Sequence, residues 1–161
     1  MRARHDSTTA LEDQRLPVKV KLAAAWTSFM FLYAYVDILV FYKPGVIDDI
    51  LVGKVWEFDI TQTWATTALT LMAIPILMIA LSTTLPARVN RTMNLVVASV
   101  YVPVSVFNAV GESWTYYYGL SVAVELVVLA AIVRIAWTWP RTASSATSVT
   151  SPDRESVRSQ R

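Results

Sequence analysis

A chain of 161 residues has room for one domain, and with 55% hydrophobic residues and a mean hydropathy of +0.45 it is too apolar to be soluble throughout. A formal charge of +2 gives nucleic-acid binding no support. The absence of cysteine excludes disulfides, iron-sulfur clusters and thiolate zinc sites, and the single histidine, His5, lies in a polar tail without companion ligands.

Residues 1–10 read as a disordered N-terminal tail with little to bury. A four-span membrane domain follows over residues 11–141. Its apolar stretches run from Leu22 to Tyr42, Trp64 to Leu85, Met93 to Val110 and Tyr116 to Trp137. Each approaches or exceeds the roughly 20 residues that carry a helix across about 30 Å of hydrocarbon. The first is too long for a cleavable signal, and no small-residue cleavage pattern follows it. Between spans one and two, Pro44 and Gly45 signal a turn, after which Val46, Ile47, Ile50 and Leu51 recur at helical spacing opposite Asp48 and Asp49. A short interfacial helix is expected there. Pro75 and Pro103 each fall inside a span, where a missing amide frees a carbonyl that neighbouring groups must satisfy. Residues 142–161, rich in Ser, Thr, Arg and acids, read as a disordered C-terminal tail. The expected fold class is an all-α, integral membrane four-helix bundle.

Basic residues set its orientation. Arg2, Arg4, Arg15, Lys19 and Lys21 precede span one, Arg88 and Arg91 separate spans two and three, and Arg134 and Arg141 flank the end of span four. The segment between spans one and two instead carries Asp48, Asp49, Glu57 and Asp59. The positive-inside rule places both termini in the cytoplasm.

Span three holds Asn90, Asn94, Ala98, Tyr101, Ser105, Asn108 and Glu112 at steps of four and three, which stacks them on one helical face. Lipid cannot satisfy amides and hydroxyls, so the stripe is expected to face the other helices. Those helices carry polar seams of their own: Trp26, Met30, Tyr33 and Asp37 in span one, Gln62, Thr66, Thr70 and Ala73 in span two, and Trp114, Tyr118, Ser121 and Glu125 in span four. By helical rise, Asp37 lies about 8 Å and Glu125 about 14 Å from the outer ends of their spans. Together with Glu112, Asn108, Ser105, Tyr101, Tyr33, Thr66, Thr70 and Ser121 they outline an outward-opening polar chamber. Asp37 and Glu125 are its deepest acids. No span contains Lys or His to neutralise them, so a shared proton, a cation or water must relieve their repulsion. The alternative is that both acids are hydrogen-bonded helix glue.

The strings KVKLAAAWTSFMFLYAYVDI (Lys19 to Ile38), FYKPGVI (Phe41 to Ile47), LMAIPILMIALS (Leu71 to Ser82), VNRTMN (Val89 to Asn94) and AWTWPR (Ala136 to Arg141) resemble a family of small bacterial four-helix membrane proteins. That family is known only as a domain of unknown function, number six-three-two-six. The resemblance covers about residues 11–141 and implies a fold, a bacterial inner-membrane setting and acids at Asp37 and Glu125, but no catalytic role. In size and span count the chain is also similar to DoxX-like four-helix proteins, an analogy of fold alone.

Three functional classes fit these features. A small binding or accessory membrane module would use the outer chamber, and as an oligomer the same bundle could serve cation- or proton-linked permeation. A membrane-embedded enzyme acting on lipid or quinone ranks last, because no nucleophile and base pair is present. No cofactor and no metal site are indicated. The partners expected are the lipid bilayer and either a second copy or another membrane protein, and the small-molecule or ion ligand is left open.

Overall fold

The computed structural model describes residues 16–140; both polar tails lie outside the described residues. The described chain is helical apart from one small hairpin. Four long helices, α1 (Val18–Val40), α3 (Gln62–Thr84), α4 (Ala87–Phe107) and α5 (Thr115–Trp137), pack side by side, and a short α2 (Val46–Leu51) follows α1. Strands β1 (Lys54–Val55) and β2 (Phe58–Asp59) form an antiparallel hairpin between α2 and α3, with Lys54 opposite Asp59 and Val55 opposite Phe58.

Local chemistry sets the helix boundaries. Pro17 immediately precedes α1, where the missing amide of a proline costs nothing. The Thr61 hydroxyl accepts from the Trp64 amide at 3.1 Å and caps α3. α3 stops because Leu85 precedes Pro86 and is held extended, at φ −64° and ψ 149°. α4 begins straight after Pro86 at Ala87, so the third long helix starts six residues earlier than the apolar stretch from Met93 suggests. The intervening Arg88, Asn90 and Arg91 are helical, continuing the face on which the polar stripe from Asn90 lies. Gly45 and Gly111 take φ of +88° and +78° at the turns after α1 and after α4, conformations that glycine adopts without a Cβ penalty.

α1, α3 and α5 are each 23 residues, about 35 Å, and apolar enough to cross a membrane. α4, at 21 residues, is about as long as a bilayer core is thick, but its first two turns carry the two arginines and two asparagines. The expectation of four apolar spans therefore stands as three helices of membrane-crossing length and apolarity plus a fourth that packs among them.

The helices pack in the cyclic order α1, α3, α4, α5, with α4 against α5 and α1 against both α3 and α5 as the most extensive interfaces. Long side chains of α1 and α4 meet across the diagonal: Trp26 and Phe29 each make an edge-to-face contact with Tyr101. Leu22, Met78, Ala98, Leu129, Ile132 and Ala136 complete the buried core. The outside is apolar, with Phe31, Leu69, Leu77, Val96, Val100, Leu120 and Val127 among its exposed side chains. An apolar exterior around a polar-lined interior is the arrangement lipid requires and water penalises.

Two polar features hold the helices at the end where α3 turns into α4. The first is a fully buried amide network. Trp26 Nε1 donates to Asn94 Oδ1 at 2.7 Å, Ser82 Oγ donates to the same oxygen at 3.4 Å, Asn94 Nδ2 donates to Asn90 Oδ1 at 2.7 Å, and Asn90 Nδ2 donates to the Ser82 carbonyl at 2.6 Å. The second is a pair of cationic caps. Lys19 Nζ donates to the Thr83 carbonyl and Arg91 Nε to the Ala136 carbonyl, each at 3.2 Å, where helix C-termini present unpaired oxygens and the negative end of the dipole.

Candidate functional site

The opposite end of the bundle, where α1 and α4 finish and α5 begins, holds most of the expected chamber residues. Three elements build it. α4 is inward-facing along its polar stripe, with Asn90, Asn94, Ala98, Tyr101 and Ser105 buried while Val96 and Val100 are more than half exposed. α5 buries Tyr118, Ser121 and Glu125, and α1 contributes Tyr33. These residues recur at steps of three and four on each helix, so one face of each converges on the same space.

Glu125 is the centre of this space. Its side chain lies two turns beyond the start of the packed face of α5 and is 3% exposed. Ser121 Oγ donates to Glu125 Oε1 at 3.1 Å. The Ser105 hydroxyl, wholly buried on α4, lies beside the same carboxyl group as a second donor toward it, although neither Ser105 Oγ nor Glu125 Oε2 closes a hydrogen bond of full geometry. Buried polar atoms are nearly always paired; here the two serine hydroxyls face the carboxyl group, and among the described residues it has no cationic partner.

Above Glu125 sits a second tier. Asn108 at the C-terminus of α4 donates through Nδ2 to the Tyr33 hydroxyl, and Tyr117 donates to the Val36 carbonyl at 2.7 Å. Lys43, in the turn after α1, forms a 2.6 Å ion pair with Glu112, both side chains under one fifth exposed. Its ammonium also lies 5.7 Å from the centre of the Tyr118 ring, and the Tyr118 hydroxyl faces Glu112. Trp114, Tyr117 and Tyr118 stack edge to face alongside. The hairpin closes this end over α4: Trp56, at φ +53° the one non-glycine residue with positive φ among those described, packs edge-on against Phe107 and lies beside Gly111. The tight two-residue turn sets that backbone.

The structure thus gathers Tyr33, Tyr101, Ser105, Asn108, Glu112, Ser121 and Glu125 at or near one end, with differences from the sequence reading. Asp37 is not a deep member. It lies in the last turn of α1, is exposed, and stands near enough to Glu125, Tyr33 and Tyr118 for its charge to act on them. It is a rim residue, and Glu125 alone is interior. Glu112 is not a free acid, because Lys43 reaches it from the loop. The membrane-length helix α1 does carry Lys19 and Lys21, at its far end, and the loop supplies Lys43 beside Glu112.

Thr66 and Thr70 face outward and do not join the others. Threonine on a helix can satisfy its hydroxyl locally, and here Thr70 donates to the Thr66 carbonyl at 2.8 Å, as the neighbouring Thr67 does to Thr63 at 2.9 Å. The Thr70 hydroxyl has no need of an interior partner. The inward face of α3 is instead Pro75, Met78 and Ser82. Its contribution to the centre is a backbone carbonyl: Tyr101 donates its hydroxyl hydrogen to Leu71 O. Leu71 is four residues before Pro75, so its carbonyl is the one that the proline leaves without an amide.

Among the described residues no three His, Cys, Asp or Glu side chains cluster as metal ligands. One buried carboxyl group, two serine hydroxyls and several phenols form a site suited to a proton, a weakly held cation or a small polar solute rather than a multi-carboxylate cage. No curated protein and no solved structure matches the chain. One family model, described as a family of unknown function, matches residues 13–146, and the chain therefore belongs to DUF6326.

Proposed function

We propose that this protein is a small binding or accessory membrane module: a four-helix membrane bundle, with both termini cytoplasmic, whose outer half holds a proton or small cation at Glu125. The observation that carries this reading is the buried Glu125 carboxyl group, met by the Ser121 and Ser105 hydroxyls and by no cationic side chain among the described residues. An intramembrane acid without a cationic partner needs a compensating charge, and such residues mark ligand or proton pathways. The basic residues Lys19, Arg88, Arg91 and Arg134 lie at the opposite end of the bundle, which supports the topology.

In this reading Asp37, at the rim, attracts the cation, and Ser105 and Ser121 complete the polar contacts around Glu125. Tyr33 and Asn108 bridge α1 to α4 above it and limit access from outside. The Lys43 and Glu112 pair neutralises its own acid, leaving Glu125 as the interior charge. Thermal unfolding of the purified protein in nanodiscs, with sodium, potassium or choline chloride at fixed ionic strength and at two pH values, tests this. Cation- or pH-dependent stabilisation that Glu125→Gln abolishes supports the site; equal melting of wild type and Glu125→Gln across all conditions refutes it.

A second reading, cation- or proton-linked permeation by an oligomer, draws on the outward threonine face of α3. Thr66, Thr67 and Thr70 with Leu71 and Ile74 line a shallow groove, and small residues of this kind allow helices to approach closely in lipid. Cation flux into proteoliposomes at protein densities that support oligomers distinguishes permeation from binding alone.

A further inference from the structure

The opposite end of the bundle, cytoplasmic in the proposed topology, carries an open surface cavity with different chemistry. It measures about 410 Å³ and is lined by Arg91, Trp137, Thr138 and Trp139. Arg91 reaches it from the second turn of α4. Its Nε donates to the Ala136 carbonyl at 3.2 Å, and its guanidinium lies 5.8 Å from the centre of the Trp137 ring. These two contacts hold the guanidinium at the cavity. Cap and stack together use one of its five N–H donors, and among the described residues the two Nη groups have no acceptor. Thr138 is also held, its hydroxyl donating to the Arg134 carbonyl at 2.7 Å, which leaves that oxygen able to accept but turns its hydrogen away from the cavity. Trp139 packs on the core, whereas Trp137 is 68% exposed at the end of a membrane-length helix.

A planar guanidinium presenting a fork of donors fits the oxygens of a phosphate group. Indole rings at the end of a spanning helix sit at headgroup depth, with the apolar edge toward acyl chains. We propose that this cavity is a binding site for the phosphate group of an anionic phospholipid in the cytoplasmic leaflet, with Arg91 as its anchor and Trp137 and Trp139 as its walls. The proposal rests on the membrane-spanning reading above, but not on any role for Glu125. A free phosphate ion offers the same oxygens; a lipid adds acyl chains that the exposed apolar surface of α5 covers.

The full chain, reconstituted in nanodiscs of equal phosphatidylglycerol and phosphatidylcholine and then transferred to mild detergent, is examined by native mass spectrometry for retained lipid. Phosphatidylglycerol is expected to be retained over phosphatidylcholine. Arg91→Gln lowers that preference about tenfold, the loss expected for a charge-assisted contact, and Arg91→Lys lowers it less. Arg88→Gln, which removes an equal charge from an exposed neighbouring position, leaves it within about twofold. Equal losses in Arg88→Gln and Arg91→Gln overturn the pocket in favour of diffuse surface charge. Inorganic phosphate added to phosphatidylcholine discs should neither bind nor raise the melting temperature; binding of phosphate as tight as of phosphatidylglycerol overturns the lipid assignment. Failure to enter nanodiscs at all overturns the spanning reading itself, and entry without any lipid preference overturns this site alone.

Discussion

Replacing Tyr101 with phenylalanine keeps the ring that Trp26 and Phe29 pack against and deletes only the hydroxyl that serves the Leu71 carbonyl. That carbonyl has no helical donor, because the residue four positions on is Pro75. An unsatisfied buried acceptor costs about 1 to 3 kcal/mol in soluble proteins, and side-chain hydrogen bonds between membrane helices measure lower, up to about 1.7 kcal/mol. A destabilisation of about 1 kcal/mol is therefore expected for Tyr101→Phe. The partner substitution is Pro75→Ala, which returns an amide to Leu71 and makes the hydroxyl dispensable. A double-mutant cycle, read by equilibrium unfolding in mixed micelles, should show Tyr101→Phe costing less than about 0.5 kcal/mol in the Pro75→Ala background. An equal cost in both backgrounds would refute the pairing of Tyr101 with the proline-freed carbonyl.

Asn94→Leu should be the most damaging single change in the interior, at about 2 to 4 kcal/mol, because it strands Trp26 Nε1 and a side-chain oxygen of Asn90 in a dry network; unfolding within 0.5 kcal/mol of wild type would show the network to be dispensable. Lys43→Met leaves Glu112 unpaired and should cost about 1 kcal/mol, which the exchange Lys43→Glu with Glu112→Lys recovers in part; no recovery would argue against a specific pair. Thr70→Val, at an outward position whose hydroxyl bonds its own helix, should change the stability of the monomer by less than about 0.5 kcal/mol, and a larger loss in unfolding measurements would place that face in an interface. In intact cells a cysteine replacing Asp49 should react with an impermeant thiol reagent and one replacing Arg88 should not; the reverse pattern would invert the bundle.

Period and polarity made much of this structure legible before any coordinates. The stripe from Asn90 to Ser105 stands out because polar groups at steps of three and four inside an apolar helix have few places to go but inward. The same logic located Tyr118, Ser121 and Glu125. It failed for Thr66 and Thr70, which both face outward; a threonine hydroxyl that bonds its own helix, as at Thr70, carries no directional information. It also failed for Asp37, whose depth was judged from the end of an apolar stretch that runs two residues past the helix. The start of α4 was obscured because charged residues in a first turn resemble a loop, although Leu85 and Pro86 signalled the break. Lys43 beside Glu112 was beyond reach: the two are far apart in sequence, and loop geometry, not periodicity, joins them. The Trp56 hairpin was equally hidden, having neither glycine at its turn nor strands longer than two residues.

The central claim is that Glu125 holds the exchangeable proton or cation of the outer chamber. Infrared difference spectroscopy on the protein in nanodiscs, between acidic and alkaline buffer and between sodium and choline salts, reads carboxyl groups directly. The account predicts a carboxyl band change that disappears in Glu125→Gln and persists in Glu112→Gln, whose acid Lys43 already compensates. A band change that survives Glu125→Gln unaltered, or is absent in the wild type, would contradict it.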